Sequence, residues 1–436
     1  MEALEAAGLV FFLLILYLGV GTWIFSGLML VGVTALMVTL DMPLTRAANI
    51  LKSTMWRSAS TAELAAVPLF IWMGEIIFRS AIADRLFRGL TPWLEVIPGR
   101  LLHTSVGGCT IFAALSGSSA ATTATMGKIT LDSLIGRGYN RTLTVGSLAG
   151  AGTLGLMIPP SIVMIVYGVL AEVSISRLFA AGVIPGLLIA CLYSGYIFFR
   201  CVFVPELAPK SAVRFTNRDR LRGSVEMLPF FSLIVLVLGS IYSGRVTPSE
   251  SAALGVAAAF GMTVYTKCSI RSVFVESIEA TIKTSCMVLT IVAAASFMSS
   301  AVGYMHIPLD LATAIGGLEV GPYQLILILA GFYLILGLFL DGISILVMSL
   351  PITLPLVVGQ GFDPIWFGVF LIIMVELAQI TPPIGFNLFV LQGLTKQPVG
   401  TIARAAFPFF LLLCLVGIFL TLFPGLALWL PGVLYG

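Results

Sequence analysis

Gly152-Thr153-Leu154-Gly155-Leu156-Met157-Ile158-Pro159-Pro160-Ser161 and Ala378-Gln379-Ile380-Thr381-Pro382-Pro383-Ile384-Gly385-Phe386-Asn387 are the two stretches of this 436-residue chain whose reading decides the fold. Both place a Pro-Pro pair inside an apolar run. Each proline removes an N–H donor and clashes with the preceding turn, so a helix entering either stretch must break there. The pairs lie 223 positions apart; Pro185 and Pro408 share that offset, as do Gly32-Val33 and Gly255-Val256. Three matches at one spacing mark an internal repeat.

Composition places the breaks in lipid. Hydrophobic residues make up 59% of the chain and charged residues 10%, against about 25% charged in soluble domains. So few charges cannot cover a particle of this size in water, and a soluble globule is excluded. A net charge of +3 implies no nucleic-acid partner, and two histidines leave no basis for a histidine-built metal or acid/base site. The six cysteines lack CxxC spacing and mostly fall in apolar runs, so they are expected to be buried packing residues. A cleaved signal peptide is not expected, because Glu2 and Glu5 stand where a basic region belongs.

The apolar runs arrange into an all-α polytopic membrane protein with an inverted repeat, about ten transmembrane helices and two opposed re-entrant hairpins. The first repeat covers 1–202, with a hairpin at about 101–135 and a broken helix at about 142–170. A basic connector occupies 203–226. The second repeat covers 227–436, with a hairpin at about 322–359 and a broken helix at about 364–393. Each half reads as helix, helix, a more polar segment (about 43–60 and 267–283), helix, hairpin, broken helix and final helix. The 6–40 run is too long for one span, and Gly19 to Thr22 offers a turn within it.

Hairpins follow from length. Leu101 to Leu115 gives about 15 residues, or roughly 22 Å of helix, short for a ~30 Å crossing. Small polar residues from Ser116 to Thr125 follow at membrane depth, where non-helical backbone must line protein or water. Ser116-Gly117-Ser118-Ser119 is set opposite Asp341-Gly342-Ile343-Ser344 with a shift of two. If neither hairpin crosses, each half has an odd number of spans and the copies are inverted. Of the 23 basic residues, only Arg46, Lys52, Arg57, Arg177 and Arg245 then fall outside, a positive-inside bias that puts both termini outside.

Broken helices meeting at mid-membrane are how secondary transporters build sites. The first break frees the carbonyls of Gly155 and Ile158; with the Ser116 and Ser118 hydroxyls these suit a hard cation such as sodium. The second break offers matching carbonyls and the Thr381 hydroxyl, facing Asp341 and Gly342. Hairpin tips also aim helix N-termini at the midplane, where Ser118, Ser119, Thr122, Thr123 and Ser344, together with Gly385 and Asn387 at the second break, can receive a carboxylate. Packing kinks and Ser/Thr helix contacts are the plainer alternatives. Glu75, Glu172, Asp310 and Glu376 are further ionisable groups in apolar context. Arg79, one turn from Glu75, explains that residue by an intrahelical pair as well as function does. Glu376, three residues before the second break, is placed to orient it or carry a proton.

Ser116-Gly117-Ser118-Ser119-Ala120, Leu156 to Tyr167 (LMIPPSIVMIVY), Val173 to Gly186 (VSISRLFAAGVIPG), Thr247 to Ala253 (TPSESAA), Phe339-Leu340-Asp341 and Ile380 to Val390 (ITPPIGFNLFV) together resemble the DctM-like large membrane subunit of tripartite ATP-independent periplasmic (TRAP) transporters over nearly the whole chain. The resemblance implies a sodium-driven elevator importer of an organic anion such as a C4-dicarboxylate, sugar acid or sialic acid, located in the bacterial inner membrane. It implies a small four-helix membrane subunit and a periplasmic substrate-binding protein as partners, and no cofactor besides sodium as coupling ion. By motif, one sodium site falls on Ser116, Ser118, Gly155, Ile158 and Pro160, and the other on Asp341, Gly342, Ala378, Thr381 and Pro383. The sequence departs from the commoner pattern at Ala121-Thr122-Thr123-Ala124 and at Glu376-Leu377-Ala378-Gln379.

Two other functions remain on the sequence alone. One is a stand-alone sodium/carboxylate symporter. The other is an intramembrane hydrolase built on Gly117-Ser118-Ser119, for which His103, 13 residues before Ser116, lies about 20 Å away along a helix. A primary pump is disfavoured, because no G-x-x-x-x-G-K-[ST] loop is present.

Overall fold

A computed structural model describes residues 3–80, 82–209, 215–265, 269–307, 321–383 and 385–436. Glu2, Asp310 and Ile384, named in the sequence reading, lie outside the described residues, as do the basic residues Lys210, Arg214 and Lys267 and the cysteine Cys268. In chain order the helices are α1 (Ala3–Gly19), α2 (Ile24–Leu40), α3 (Leu44–Ala59), α4 (Ala66–Arg79), α5 (Ile82–Leu94), α6 (Leu101–Ser116), α7 (Ser119–Gly136), α8 (Arg141–Met157), α9 (Ile162–Leu170) and α10 (Ile175–Phe203). They continue as α11 (Asn217–Tyr242), α12 (Pro248–Tyr265), α13 (Ile270–Tyr304), α14 (Pro322–Leu336), α15 (Gly342–Gly359), α16 (Pro364–Gln379), α17 (Phe386–Thr395), α18 (Val399–Leu422) and α19 (Gly425–Tyr435). No strand occurs among the described residues.

Helix starts follow local chemistry. The side chains of Asn140, Ser174 and Asp363 accept hydrogen bonds from backbone N–H groups in the first turns of α8, α10 and α16. Thr216 and Asp219 close a capping box on α11. The bounds of α7 and α15 match end for end at the 223-residue offset, so Ser118 and Asp341, which cap them, are equivalent. The tips therefore align without the shift of two expected from the sequence; the N-cap, and not the first small polar residue, is the shared position.

The halves differ in their arms. In the first, α3 and α4 are bent by 57° around a short 3₁₀ turn, Ala62–Ala65. There the Ser60 hydroxyl donates to the Trp56 carbonyl and the Thr61 hydroxyl to the Arg57 carbonyl, at 2.8 and 3.1 Å, and Thr61 turns extended. The corresponding stretch of the second half runs unbroken through the 35-residue α13.

By length and composition, six helical segments among the described residues can cross a bilayer: the broken pair α8–α9, then α10, α11, α13, α15 and α18; α3–α4 makes a seventh if the bent pair is one span. Length certifies fewer crossings than the expected ten, because other apolar runs are divided among helices such as α1 and α2, of 17 residues each. On α11, Val225, Leu228, Val235 and Leu236 form an exposed apolar stripe that has no place in water. Cysteine placement corrects the sequence expectation: Cys109 and Cys201 are buried, but Cys191 and Cys286 lie on this outer surface. Apolar context in a membrane protein means lipid or partner as often as core.

Helix α8 sits at the centre, with every residue from Leu143 to Met157 buried. Small residues let its neighbours approach its backbone. A Cβ on Gly146 would collide with the Ala405 carbonyl of α18, and one on Gly155 would lie 2.5 Å from the Ser118 carbonyl oxygen. Gly146→Val is expected to force α8 and α18 apart at a cost of about 1–3 kcal/mol, read as a lower thermal midpoint in detergent. An unchanged midpoint would show that α18 can retreat freely.

Candidate functional site

Each Pro-Pro break is met by a hairpin tip. At the first tip, α6 ends on Gly117 in the left-handed region (φ 57°), and Ser118 turns extended to cap α7, its side chain accepting from the Ala121 N–H at 3.4 Å. A Cβ on Gly117 would lie 2.8 Å from the Pro160 carbonyl oxygen, and the Ile162 N–H donates to the Gly117 carbonyl at 3.3 Å. Ser116, Ser118, Gly155 and Pro160 are thus gathered at one point, with Ile158 alongside. Thr122 spends its hydroxyl locally, donating to the Ser118 carbonyl at 2.8 Å and meeting the Ser116 hydroxyl at 2.7 Å.

At the second tip, Asp341 caps α15 by accepting from the N–H groups of Ile343 and Ser344 at 3.2 and 3.5 Å, and the Ser344 hydroxyl donates to its other carboxylate oxygen. Gly342 packs against Val375 and the Gln379 amide of α16, and against Leu156 just ahead of the first break. Beyond α16, the Thr381 hydroxyl donates to the Leu377 carbonyl at 2.6 Å and the Thr381 N–H to the Ala378 carbonyl at 3.2 Å. Gly385 is pressed against the Gln379 and Thr381 carbonyls. The breaks differ in cover: Ile158, Pro159 and Pro160 are buried, whereas Pro382 and Pro383 are exposed. Both Pro-Pro bonds are cis.

One of the hydrogen bonds that join the halves lies beside the tips. The Ser119 hydroxyl donates to Asn387 Oδ1 at 2.8 Å, and Asn387 Nδ2 is buried without a partner.

Between the tips and the helices α2, α4 and α13 opens a cavity of ≈ 720 Å³. Ser116, Ser118, Ser119, Asp341 and Gly342 line it; Thr122, Ser344, Gly385 and Asn387 do not: the Thr122 and Ser344 hydroxyls are spent on Ser118 and Asp341, and Asn387 stands behind Ser119. The ion candidates Gly155, Ile158, Pro160, Ala378, Thr381 and Pro383 likewise lie behind the cavity wall. Sequence reasoning gave no role to Gln379 and Thr284, which do line it. Gln379 Oε1 is buried and unpaired, and an amide directly ahead of a break in an apolar run was the available signal.

The lining contains two carboxylates, Glu75 and Asp341, and no lysine or arginine. Glu75 accepts from Arg79 at 3.2 Å, the intrahelical pair its spacing allowed, and Arg79 also reaches Glu276 of α13 at 3.0 Å. His103 meets the Pro98 carbonyl at 2.6 Å, turned toward the loop that precedes α6 and not toward the serine tip.

Residues 9–426 match the family described as tripartite ATP-independent periplasmic transporter, DctM component. The chain belongs to the DctM family. It is 34% identical over 375 residues to the C4-dicarboxylate TRAP transporter large permease protein DctM of Pseudomonas aeruginosa, covering 84% of this chain and 86% of that one. It is 31% identical to the isethionate TRAP transporter permease protein DctMQ of Oleidesulfovibrio alaskensis, covering 96% of this chain and 65% of that longer relative. Among solved structures, the Alcanivorax borkumensis YdaH transporter shares the fold, with TM-score 0.62 at 15% identity over 88% of this chain and 89% of the other. This DctM-family chain is therefore a TRAP large permease subunit and a multi-pass membrane protein, and not an enzyme, which removes the hydrolase reading.

Ser119→Ala and Asn387→Ala should each lower the thermal midpoint, and the pair should show a coupling energy of about 0.5–1.5 kcal/mol in a double-mutant cycle. Strictly additive losses would mean that the bond between the halves contributes nothing.

Proposed function

We propose that this DctM-family subunit imports an organic anion together with sodium by an elevator motion. The observation that carries the proposal is the cavity itself: two capped hairpin tips, each backed by a broken helix, line a space with no lysine or arginine in its lining. An anion entering it needs positive charge from elsewhere. The helix dipoles that begin at Ser119 and Gly342 supply part. Sodium held by hydroxyl and carbonyl oxygens behind the wall supplies the rest, and so makes anion binding depend on ion loading.

In this reading Ser116, Ser118, Gly155, Ile158 and Pro160 hold one ion, and Asp341, Gly342, Ala378, Thr381 and Pro383 hold the second. Ser118 and Ser119 contact the anion, and Asn387 orients Ser119. Thr122, Ser344 and Gly385 support the tips. The repeats 1–202 and 227–436, joined by 203–226, are inverted; α6–α9 and α14–α17 move as a unit against α1, α2, α4 and α11–α13. The chain resides in the inner membrane with both termini periplasmic.

A small four-helix membrane subunit covers part of the exposed apolar surface, in keeping with the Oleidesulfovibrio alaskensis relative, whose name, DctMQ, joins M and Q. A periplasmic binding protein delivers the anion. Relatives named for a C4-dicarboxylate and for isethionate support an organic acid as cargo.

Uptake by proteoliposomes tests this with a panel of organic acids, with and without an inward sodium gradient, the small subunit and the binding protein. Sodium-driven uptake that needs both partners is expected; uptake by the chain alone would favour the stand-alone symporter. Asp341→Asn keeps a cap but removes the charge, and Thr381→Val keeps the shape but removes the hydroxyl. Each is expected to lower sodium-driven uptake by a factor of at least about ten while insertion persists. Unaltered sodium dependence in both variants would sink the second site.

A further inference from the structure

Glu376 is the group that the site leaves unexplained. It lies on α16, one turn ahead of the second break, fully buried, and neither carboxyl oxygen closes a hydrogen bond. A leucine would fill this apolar place without orphaning two oxygens, so a carboxyl here calls for a task. Its helix packs against α8 and α10, and the Met157 backbone at the end of α8 and the Tyr193 side chain of α10 are among the groups around it. Met157 immediately precedes Ile158 at the first break; Glu376 precedes Ala378 of the second by two positions. One side chain therefore extends from the helix that ends in one break to the backbone that opens the other. The Met157 carbonyl is meanwhile pressed on Gly182 of α10, where a Cβ would lie 2.7 Å from its oxygen. The first break is thus held by a rigid neighbour on one side and addressed by Glu376 on the other.

We propose that Glu376 is a positioning residue that couples the two ion sites. Unpaired in the present structure, its carboxyl engages the Met157 backbone once an ion is bound and so transmits the placement of the α16 end to the Ile158 carbonyl, so that an ion at either break favours the second. Such coupling is reciprocal by thermodynamic necessity. The inference rests on the sodium reading above and adds the residue through which the two sites sense each other.

The test is a sodium titration of the full chain with its small subunit in detergent, followed by thermal midpoint, with choline chloride holding ionic strength constant. The native chain is expected to respond with a Hill coefficient above 1. In Glu376→Leu the coefficient should fall to about 1 and half-saturation should rise about tenfold, while the midpoint in choline still reports a folded chain. Glu376→Gln, which retains hydrogen-bonding capacity, should restore cooperativity. Should the leucine variant fail to accumulate, Glu376→Met fills the same space unbranched and is read identically. An apolar variant with native cooperativity, or a glutamine variant as impaired as the apolar one, overturns the inference and leaves the sodium reading standing. A native chain that ignores sodium overturns both.

Discussion

Inside a bilayer no water is at hand to satisfy a backbone group, and the rest of this structure depends on that constraint. Two Pro-Pro pairs forbid continuous helix at membrane depth. The broken backbone can exist only because something polar meets it, and each break is met by a hairpin tip whose own backbone is capped, by Ser118 in one half and Asp341 in the other. The short hairpin limbs, the small residues on α8 that let the first tip approach, and the cavity between the tips all follow from that pairing.

The two halves meet the same requirement with different means. Ser118 caps with a neutral hydroxyl, Asp341 with a carboxylate, so the second tip brings a fixed negative charge and the first does not. The first break is enclosed by protein; the second is exposed at Pro382 and Pro383. The backbone is equivalent at the two tips, while charge and cover diverge.

Much of the backbone plan was legible in the sequence, because proline, glycine and short polar side chains act within a few residues of themselves. Helix α6 ends at Ser116 and α8 at Met157 for reasons contained in those stretches. Side-chain facing was less legible. Thr122, Ser344 and Asn387 are polar residues near the tips, and only packing reveals that two of them donate their hydroxyls to the capping residues Ser118 and Asp341 while the third stands behind Ser119. Gln379 was overlooked for the converse reason: its use depends on Gly342, 37 positions earlier in the chain, letting it approach. The bend between α3 and α4 escaped notice because it arises from two hydroxyls competing for carbonyls, without a proline to announce it.

That bend carries a mechanical meaning. One half presents its arm as two struts with a joint; the other presents a single rod of 35 residues, roughly 52 Å long. A load passed between the halves cannot be shared equally, since a jointed arm yields by rotation at Ser60 and Thr61 whereas a continuous rod must tilt as a whole. The molecule thus has a jointed, compliant side and an unbroken, stiff side.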